Sequence, residues 1–338
     1  MNGSLRSDGE FLVYSHTIGL CVMEGRGFMF PVDTLVSTTG RMHTVSRAYS
    51  PADSQKRVTM YDTDSEFYGI FGGFGEGVGE FKWPSAIAED QHNDIYIADE
   101  SLNRINVYGA NGDPKGHWGK RGNSKGEMDG PAGISFDLND DIYVSDHLNN
   151  RIQKYAKEGD YIHTFGEDDL NLPWGVNVSP AGEICVADWG NHRIVRYSAD
   201  GTLLASYGSY GNGECEFKNP SSVAVDLEGN IYVADWGNER VQVLDSTGDF
   251  ICSLRGQATI SQWGQEFLDA NYEEAEPRSR SNLEPDISLF NGNPHEESAH
   301  IEKLFWGPTS VKLDTCGRLY VTESNRHRVQ VYCKSNNS

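Results

Sequence analysis

The chain has 338 residues, a formal net charge of −22 and an apolar fraction of 37%, with 37 glycines and 16 tyrosines. This composition is typical of a β-rich globular protein and argues against general disorder. The acidic balance opposes phosphate backbones and anionic lipid, so nucleic acid and membranes are poor partners. The sequence contains neither an apolar run of membrane-spanning length nor a secretory signal at its start, so we expect a cytoplasmic protein.

The six cysteines do not form a metal-binding or redox motif. They are scattered along the chain, with no zinc ribbon and no CxxC motif, and are expected to be reduced, structural thiols. Cys185 stands where sister repeats carry tyrosine, which predicts a packed strand residue. The six positions are 21, 185, 215, 252, 316 and 333.

One unit recurs along the whole chain. Each copy begins at a proline, continues through an "IYVAD"-like strand and reaches a third strand that begins with arginine. The six copies start at Pro31, Pro84, Pro131, Pro173, Pro220 and Pro308. Their arginines, at positions 57, 104, 151, 193, 240 and 328, are separated by 47, 47, 42, 47 and 88 residues. One connection is therefore much longer than the others.

Within a copy, alternating strands are separated by turn residues, as in "PSSVAVD", "IYVAD", "RVQVLD" and "FICSLRG". This pattern predicts a four-stranded antiparallel meander. Six such sheets in a ring form an all-β six-bladed β-propeller, here a single domain over residues 1–338. The last copy lacks a fourth strand, and the N-terminal "EFLVYSHTIG" resembles one. We therefore expect the N-terminal strand to close the ring beside the strand that ends near Val331.

The recurring wording, with "GNIYVADWGNERV" as an example, resembles that of NHL repeats. The resemblance covers nearly the whole chain outside one long insertion and implies a six-bladed NHL propeller. It does not fix a function, because such propellers include lyases, lactonase-like hydrolases, RNA-binding domains and protein scaffolds. Related amidating lyases carry zinc-binding histidines after the repeat prolines. None of the six positions here is a histidine, so that zinc site is not expected.

An acid and an arginine five residues later recur at the second hairpin of each clear copy. We interpret these pairs as structural braces, because five repeated charge pairs are far more typical of scaffolding than of catalysis. The pairs are Asp99 with Arg104, Asp146 with Arg151, Asp188 with Arg193, Asp235 with Arg240, and Glu323 with Arg328.

Functional residues are expected where the copies differ. The top face, defined as the loops after the second strands together with the starts of the first strands, carries His147, Trp189 and Trp236 directly after bracing acids. Trp174 follows Pro173 on the same face. These aromatic side chains could anchor a protein partner or a small ligand. Alternatively, they pack on neighbouring loops.

Three polar residues interrupt the small residues that line the predicted channel. They are Asp33, Asn177 and Lys312. Lactonase-like propellers hold a divalent cation in the channel, so the resemblance implies a Ca²⁺ or Mg²⁺ site with Asp33 and Asn177 as ligands. The alternative is an Asp33–Lys312 ion pair, with Asn177 bound to water.

The long connection, residues 258–305, is acidic and contains one stretch, "SQWGQEFLDANYEEAE", with helical periodicity. Its apolar residues Trp263, Phe267 and Leu268 share one side of that helix. We expect the insertion to be a lid over the top face, with acidic surface decoration as the alternative.

Two functions stay open. The first is a monomeric binding module that presents its top face and channel mouth to a protein partner or small ligand. The alternative is a small-molecule lyase or lactonase-like hydrolase at the channel mouth, with or without a divalent cation.

Overall fold

Alternating apolar and turn residues divide each repeat into four strands, and a computed structural model arranges the repeats as six four-stranded antiparallel sheets. The structure describes residues 11–22, 25–48, 55–286 and 292–335. The predicted all-β six-bladed propeller is confirmed.

The strands follow the chain in order, beginning with β1 (Leu12–Ile18), which belongs to the last blade. Blades 1 and 2 contain β2 (Pro31–Val36), β3 (Arg41–Ser46), β4 (Arg57–Asp62), β5 (Phe67–Phe71), β6 (Pro84–Glu89), β7 (Ile95–Asp99), β8 (Arg104–Tyr108) and β9 (Pro114–Trp118). Blades 3 and 4 contain β10 (Pro131–Phe136), β11 (Asp141–Asp146), β12 (Arg151–Ala156), β13 (Tyr161–Phe165), β14 (Pro173–Val178), β15 (Ile184–Asp188), β16 (Arg193–Tyr197) and β17 (Leu203–Tyr207). A short parallel pair, β18 (Ser209–Tyr210) and β19 (Glu216–Phe217), precedes blade 5.

Blade 5 contains β20 (Pro220–Val225), β21 (Ile231–Asp235), β22 (Arg240–Leu244) and β23 (Phe250–Leu254). Blade 6 contains β24 (Pro308–Leu313), β25 (Leu319–Glu323) and β26 (Arg328–Lys334), with β1 as its fourth strand. The long insertion forms the helices α1 (Gln262–Ala270), α2 (Tyr272–Arg280) and α3 (Pro294–His300).

The first strand of each blade contacts the first strand of the next blade. The order around the ring is β2, β6, β10, β14, β20 and β24, and β24 contacts β2. They therefore surround a central channel. The core lies between neighbouring blades, where buried side chains such as Ile87, Ile97, Val186 and Val233 interdigitate. Each blade buries its faces only by stacking on its neighbours, as repeat architectures require.

The ring closes as predicted. Strand β1 pairs antiparallel with β26, with Ile18 opposite Val329 and His16 opposite Val331. The two ends of the chain thus complete one blade, and the closing interaction is a ladder of backbone hydrogen bonds. Full closure leaves each blade with a single exposed edge strand at the outside of the ring.

A hydrogen bond that we name the interblade clasp joins successive blades. The residue before the repeat arginine has a left-handed backbone, with φ between 53° and 56°, and its side chain accepts the backbone N–H that precedes the next proline. The five clasps join Asn103 to Gly130, Asn150 to Leu172, His192 to Asn219, Glu239 to Gly307, and His327 to Phe30. The last of these joins blade 6 to blade 1.

Four of the five predicted braces form, each with 2.7 Å between the arginine Nε and a carboxylate oxygen. The arginine side chains also donate to carbonyl groups of the loop that leads into their own blade, as Arg151 does to Ser124 and Glu127. Each brace therefore ties a hairpin to an interblade loop.

The predicted pair in blade 2 is wrong. The Arg104 Nε has no hydrogen-bond partner, and Asp99 instead accepts four backbone N–H groups, including that of Leu102. In blades 3 to 5 an asparagine stands three residues after the acid and donates its amide to the carboxylate. Blade 2 has Leu102 at this position, which has no amide to donate, so the Asp99 carboxylate accepts backbone N–H groups instead.

Removing residues 1–19 should destabilise the entire domain cooperatively, because the deletion removes β1 and opens the ring. Thermal unfolding followed by circular dichroism should give a single transition at a much lower temperature than for the full chain. A synthetic peptide of residues 11–19, added in excess, should raise that temperature again. A truncated chain that melts like the full chain would show that closure does not depend on β1.

The clasp at His327 predicts acid sensitivity. Its Nδ1 accepts the Phe30 N–H at 2.9 Å, so this nitrogen must be unprotonated, and burial lowers the pKa of His327 to about 4. The contribution is complete above the unfolded pKa of about 6.5 and is lost as the pH falls towards 4, with roughly 1 kcal/mol gone at pH 5.5. His327→Asn keeps an acceptor and removes the titration, so its stability should fall less between pH 8 and pH 5.5. Identical losses in both proteins would contradict this role.

Candidate functional site

The mouth is a cavity of about 210 Å³ on the top face, where the channel opens. Two elements of the repeat build it: the residues around the repeat prolines and the loops after the second strands. It is lined by Phe30, Val32, Arg47, Ser85, Trp174, Trp189, Ser221, Trp236, Thr309, Ser324 and Asn325. A cavity of this size accommodates a ring or a side chain rather than a large ligand.

Three tryptophans form a continuous aromatic wall along one side of the mouth. The ring centroids of Trp174 and Trp189 are 5.4 Å apart, and those of Trp189 and Trp236 are 5.1 Å apart. Trp189 and Trp236 each open a short 3₁₀ turn directly after a bracing acid. The braces therefore set the positions of these two rings. The structure thus brings together the three tryptophans that the sequence singled out.

His147 extends the wall at its outer end. Its ring meets that of Trp174 edge to face, with 4.8 Å between centroids. The side chain is buried, and burial lowers its pKa, so the imidazole is neutral near pH 7. His147 supports the tryptophan wall, but it does not belong to the lining of the mouth.

The opposite side of the mouth is polar. Arg47 lies over the Trp83 ring, donates from Nε to the Pro84 carbonyl at 2.9 Å, and places Nη2 3.3 Å from a Glu100 carboxylate oxygen. Asn325 and Ser324 complete this side. The mouth therefore combines an apolar aromatic wall with a rim of hydrogen-bonding groups.

The hydroxyl groups that line the mouth serve the scaffold. Ser85 donates to the Pro131 carbonyl at 2.7 Å, and Ser221 donates to the Pro308 carbonyl at 3.2 Å, each reaching the next blade. Among the described residues that line the mouth, there is no histidine, cysteine, aspartate or glutamate. Cys185 is buried in β15, and burial raises its thiol pKa to about 12. The lining supplies binding surface rather than an acid–base pair.

The polar channel residues lie deeper. Asp33 faces a narrow section of about 30 Å³, where Lys312 Nζ is 3.2 Å from Oδ2. Its oxygens also accept from the Ser310 hydroxyl and from the backbone N–H groups of Thr34 and Ile87. This is the ion pair that the sequence offered as the alternative to a ligand site.

Asn177 opens to a different cavity, on the bottom face, and its Oδ1 accepts the Val225 N–H at 3.2 Å. The ring of blades places it opposite Asp33, and both side chains are engaged by their own neighbours. A Ca²⁺ or Mg²⁺ ion at Asp33 and Asn177 stays a prediction.

Among the described residues, a cluster of two aspartates and a histidine has the spacing of a metal site. Ligand atoms of Asp90, His92 and Asp140 lie within 4.8 Å of one another. The Lys157 ammonium already lies 3.3 Å from Asp90 and 3.2 Å from Asp140. A lysine supplies the positive charge there, so this group is an ion-pair network.

Comparison with known protein families matches the NHL repeat at residues 170–197, 217–244 and 305–332. These segments coincide with blades 4, 5 and 6, whose register the remaining three blades repeat. The chain belongs to the NHL-repeat six-bladed propellers. A comparison with curated protein sequences gave no significant match.

Solved structures similar to this NHL propeller include enzymes and binding proteins. A streptogramin B lyase aligns over 96% of this chain and 98% of its own, with 12% identity and a TM-score of 0.58. An auxiliary nutrient-binding protein from Bacteroides ovatus aligns over 96% and 77%, with 13% identity and a TM-score of 0.62. A chain of a nidogen/laminin complex aligns over 73% and 93%, with 17% identity and a TM-score of 0.54. At these identities the likeness concerns the fold.

Within the described residues of the NHL propeller, no helix has both the length and the apolar character needed to cross a membrane. Cytoplasmic location and a monomeric state stay predictions.

Part of the insertion packs against the ring of blades. The expected position of Trp263 was wrong: α1 carries it into the core between blades 6 and 1, where it contacts Phe28 and Tyr61 and donates its Nε1–H to the Ser65 carbonyl at 2.7 Å. No described residue of the insertion lines the mouth. Helix α3 lies at the top-face turn that begins with Trp236. A lid role for the insertion, of which residues 287–291 lie outside the described part, stays a prediction.

Of the residues that line the mouth, sequence reasoning singled out only the three tryptophans, and the residues that it missed include Phe30, Arg47, Ser324 and Asn325. Ser324 occupies the position after the bracing acid at which blades 4 and 5 carry tryptophan, so the same comparison could have identified it. Arg47 lies in the degraded first copy, where the alignment is weakest. It follows Ser46, which takes the place of the bracing acid in blade 1, so Arg47 stands at the same repeat position as Ser324.

Trp263→Ala should lower the free energy of unfolding by about 3–5 kcal/mol, because it removes a fully buried ring and leaves a cavity. Phe267→Ala, on the same helix but 42% exposed, should change it by less than about 1 kcal/mol. Chemical denaturation measures both values. Equal, small effects would mean that α1 is not docked between blades 6 and 1.

Proposed function

We propose that this NHL propeller is a binding module that accepts a flat, largely apolar group at the mouth of its channel. The group belongs to a small molecule or is a side chain presented by a protein partner. The observation that carries this proposal is the wall formed by Trp174, Trp189 and Trp236, which lines one half of the cavity.

The scaffold does not require this wall. At the position after the bracing acid, blades 2, 3 and 6 carry Glu100, His147 and Ser324 instead of tryptophan. At the position after the repeat proline, the other five blades carry only small or medium residues, and Trp174 is the exception. Three tryptophans gathered on two adjacent blades, blades 4 and 5, are the pattern expected of an interaction site, because a large rigid ring contributes contact area at low entropic cost.

The ligand should also carry a polar edge. A group that stacks on the wall would place its far side against Arg47 and Asn325, which offer hydrogen-bond donors. Arg47 is held by Glu100, so its charge is partly balanced, and this supports a neutral or singly anionic group over a strongly charged one.

A lyase or hydrolase acting at the mouth is the second candidate. It is supported by the structural likeness to a streptogramin B lyase and to an inactive histidine-to-alanine variant of virginiamycin B lyase from Staphylococcus aureus with quinupristin. His147 is a candidate acid–base group for such chemistry, since its ring contacts that of Trp174. A stoichiometric divalent metal found by elemental analysis of the purified protein would favour this alternative, with Asp33 and Asn177 as its proposed ligands.

The binding site is testable with 5-fluorotryptophan, which gives one ¹⁹F resonance for each of the seven tryptophans. Tryptophan-to-phenylalanine variants assign the signals. Flat aromatic fragments should shift the resonances of Trp174, Trp189 and Trp236 together and in a saturable way. The buried Trp263 is the internal control and should stay unchanged. If fragments shift Trp83 or Trp306 and leave the wall unaffected, the mouth is not the binding site.

A further inference from the structure

A second and larger cavity, of about 870 Å³, lies at the opposite end of the channel, on the bottom face formed by the turns between first and second strands. The narrow section at Asp33, with about 30 Å³ of space, separates it from the mouth. That volume is about one water molecule, so a ligand cannot pass between the two cavities. The bottom cavity is therefore a site separate from the mouth.

One residue at the floor of this cavity departs from the repeat. The fifth residue after the repeat proline is apolar in five blades and glutamate in blade 2. The six residues are Val36, Glu89, Phe136, Val178, Val225 and Leu313. The propeller fold therefore does not require a charged side chain at this position. A half-buried carboxylate there costs desolvation energy, and burial raises the pKa of Glu89.

Glu89 also lacks a counter-ion. Its Oε1 accepts the Thr38 N–H at 3.2 Å, and the Ser37 hydroxyl is its other hydrogen-bond partner. Among the residues that the structure describes, no cationic group lies within ion-pair distance of Glu89. An uncompensated carboxylate in a cavity is a common feature of ligand sites.

Every other carboxylate that lines the cavity has a cationic partner. Lys157 lies between Asp90 and Asp140, Lys154 lies beside Asp137, Lys334 lies between Asp226 and Glu228, and Arg318 pairs with Asp314. Lys312 is engaged by Asp33. Seven carboxylates and two ammonium groups line the cavity, so an anionic ligand is disfavoured.

We propose that the bottom cavity binds a small organic monocation, a primary ammonium group on a compact apolar body, with Glu89 as its counter-ion. The apolar body lies against Phe136, Val178, Val225 and Leu313, which line the same cavity. Asn177 adds an amide group at the floor, beside Val178. A metal ion fits this site less well, because the other carboxylates of the cavity are already paired with lysine or arginine and Glu89 alone offers too few oxygens.

Isothermal titration calorimetry at pH 7 tests the proposal with three probes of one shape: benzylamine, benzyl alcohol and benzoate. Benzylamine, protonated at this pH, should bind with saturation, benzyl alcohol should bind at least about tenfold more weakly, and benzoate should not bind. Glu89→Gln keeps the shape of the side chain and removes its charge, and should weaken benzylamine binding by about tenfold or more. Glu228→Gln, on the rim of the same cavity and already beside Lys334, is the matched control and should bind like the unmodified chain.

Four results would overturn the proposal: no binding of benzylamine, equal binding of benzoate, unchanged binding to Glu89→Gln, or an equal loss in Glu228→Gln, which would indicate attraction by overall charge. Thermal unfolding of Glu89→Gln checks that the variant is folded. Trp189→Phe should leave benzylamine binding unchanged, and a loss there would place the probe at the mouth instead.

Discussion

The interblade clasp is the interaction on which this ring depends. Each repeat begins with a proline, which has no N–H, so the residue before it carries the last donor at the entrance to the blade. Left unpaired in a buried position, this donor would cost about 1–3 kcal/mol. A left-handed residue of the preceding blade meets the requirement with asparagine, histidine or glutamate, as at Asn150, His192 and Glu239. The clasp needs only a residue that adopts positive φ and has a side-chain acceptor, so the type of this residue can vary between blades. Glu239 uses this freedom and also binds His295 of α3.

The braces convert this ring into a rigid top face. Each arginine holds a carboxylate of its own hairpin and carbonyl groups of the loop that enters the blade, as Arg240 does with Asp235, Gly213 and Glu216. The short turns that carry Trp189 and Trp236 start directly after braced acids. The aromatic wall is thus preorganised by interactions that recur for purely structural reasons, and a ligand that stacks on it does not bear the cost of ordering these rings.

Features that recur in every repeat could be predicted from the sequence, whereas features that occur only once could not. Six aligned copies give six views of each position, so the blades, the closure by β1 and the three tryptophans of the wall could be inferred from the pattern. The insertion has no sister copy, and its periodicity predicted a helix with Trp263 on the apolar side but not the surface that covers it. The missing pair in blade 2 depends on Leu102, a change three residues from the acid that a search for charges overlooks. Glu89 was missed because the residues that line the channel were compared only as far as the fourth residue after each repeat proline, and Glu89 is the fifth.

Asp33 gives the channel its division into two sites. Its carboxylate contacts Lys312 and Ser310 of blade 6 and the Ile87 N–H of blade 2, so it joins three blades at the narrowest section. The same contacts engage the charge of Lys312, an ammonium group that also lines the cavity below. The mouth above therefore has an aromatic wall and little net charge, whereas the bottom cavity keeps an unbalanced carboxylate. The Asp33–Lys312 ion pair thus narrows the channel between two cavities whose linings differ in chemistry.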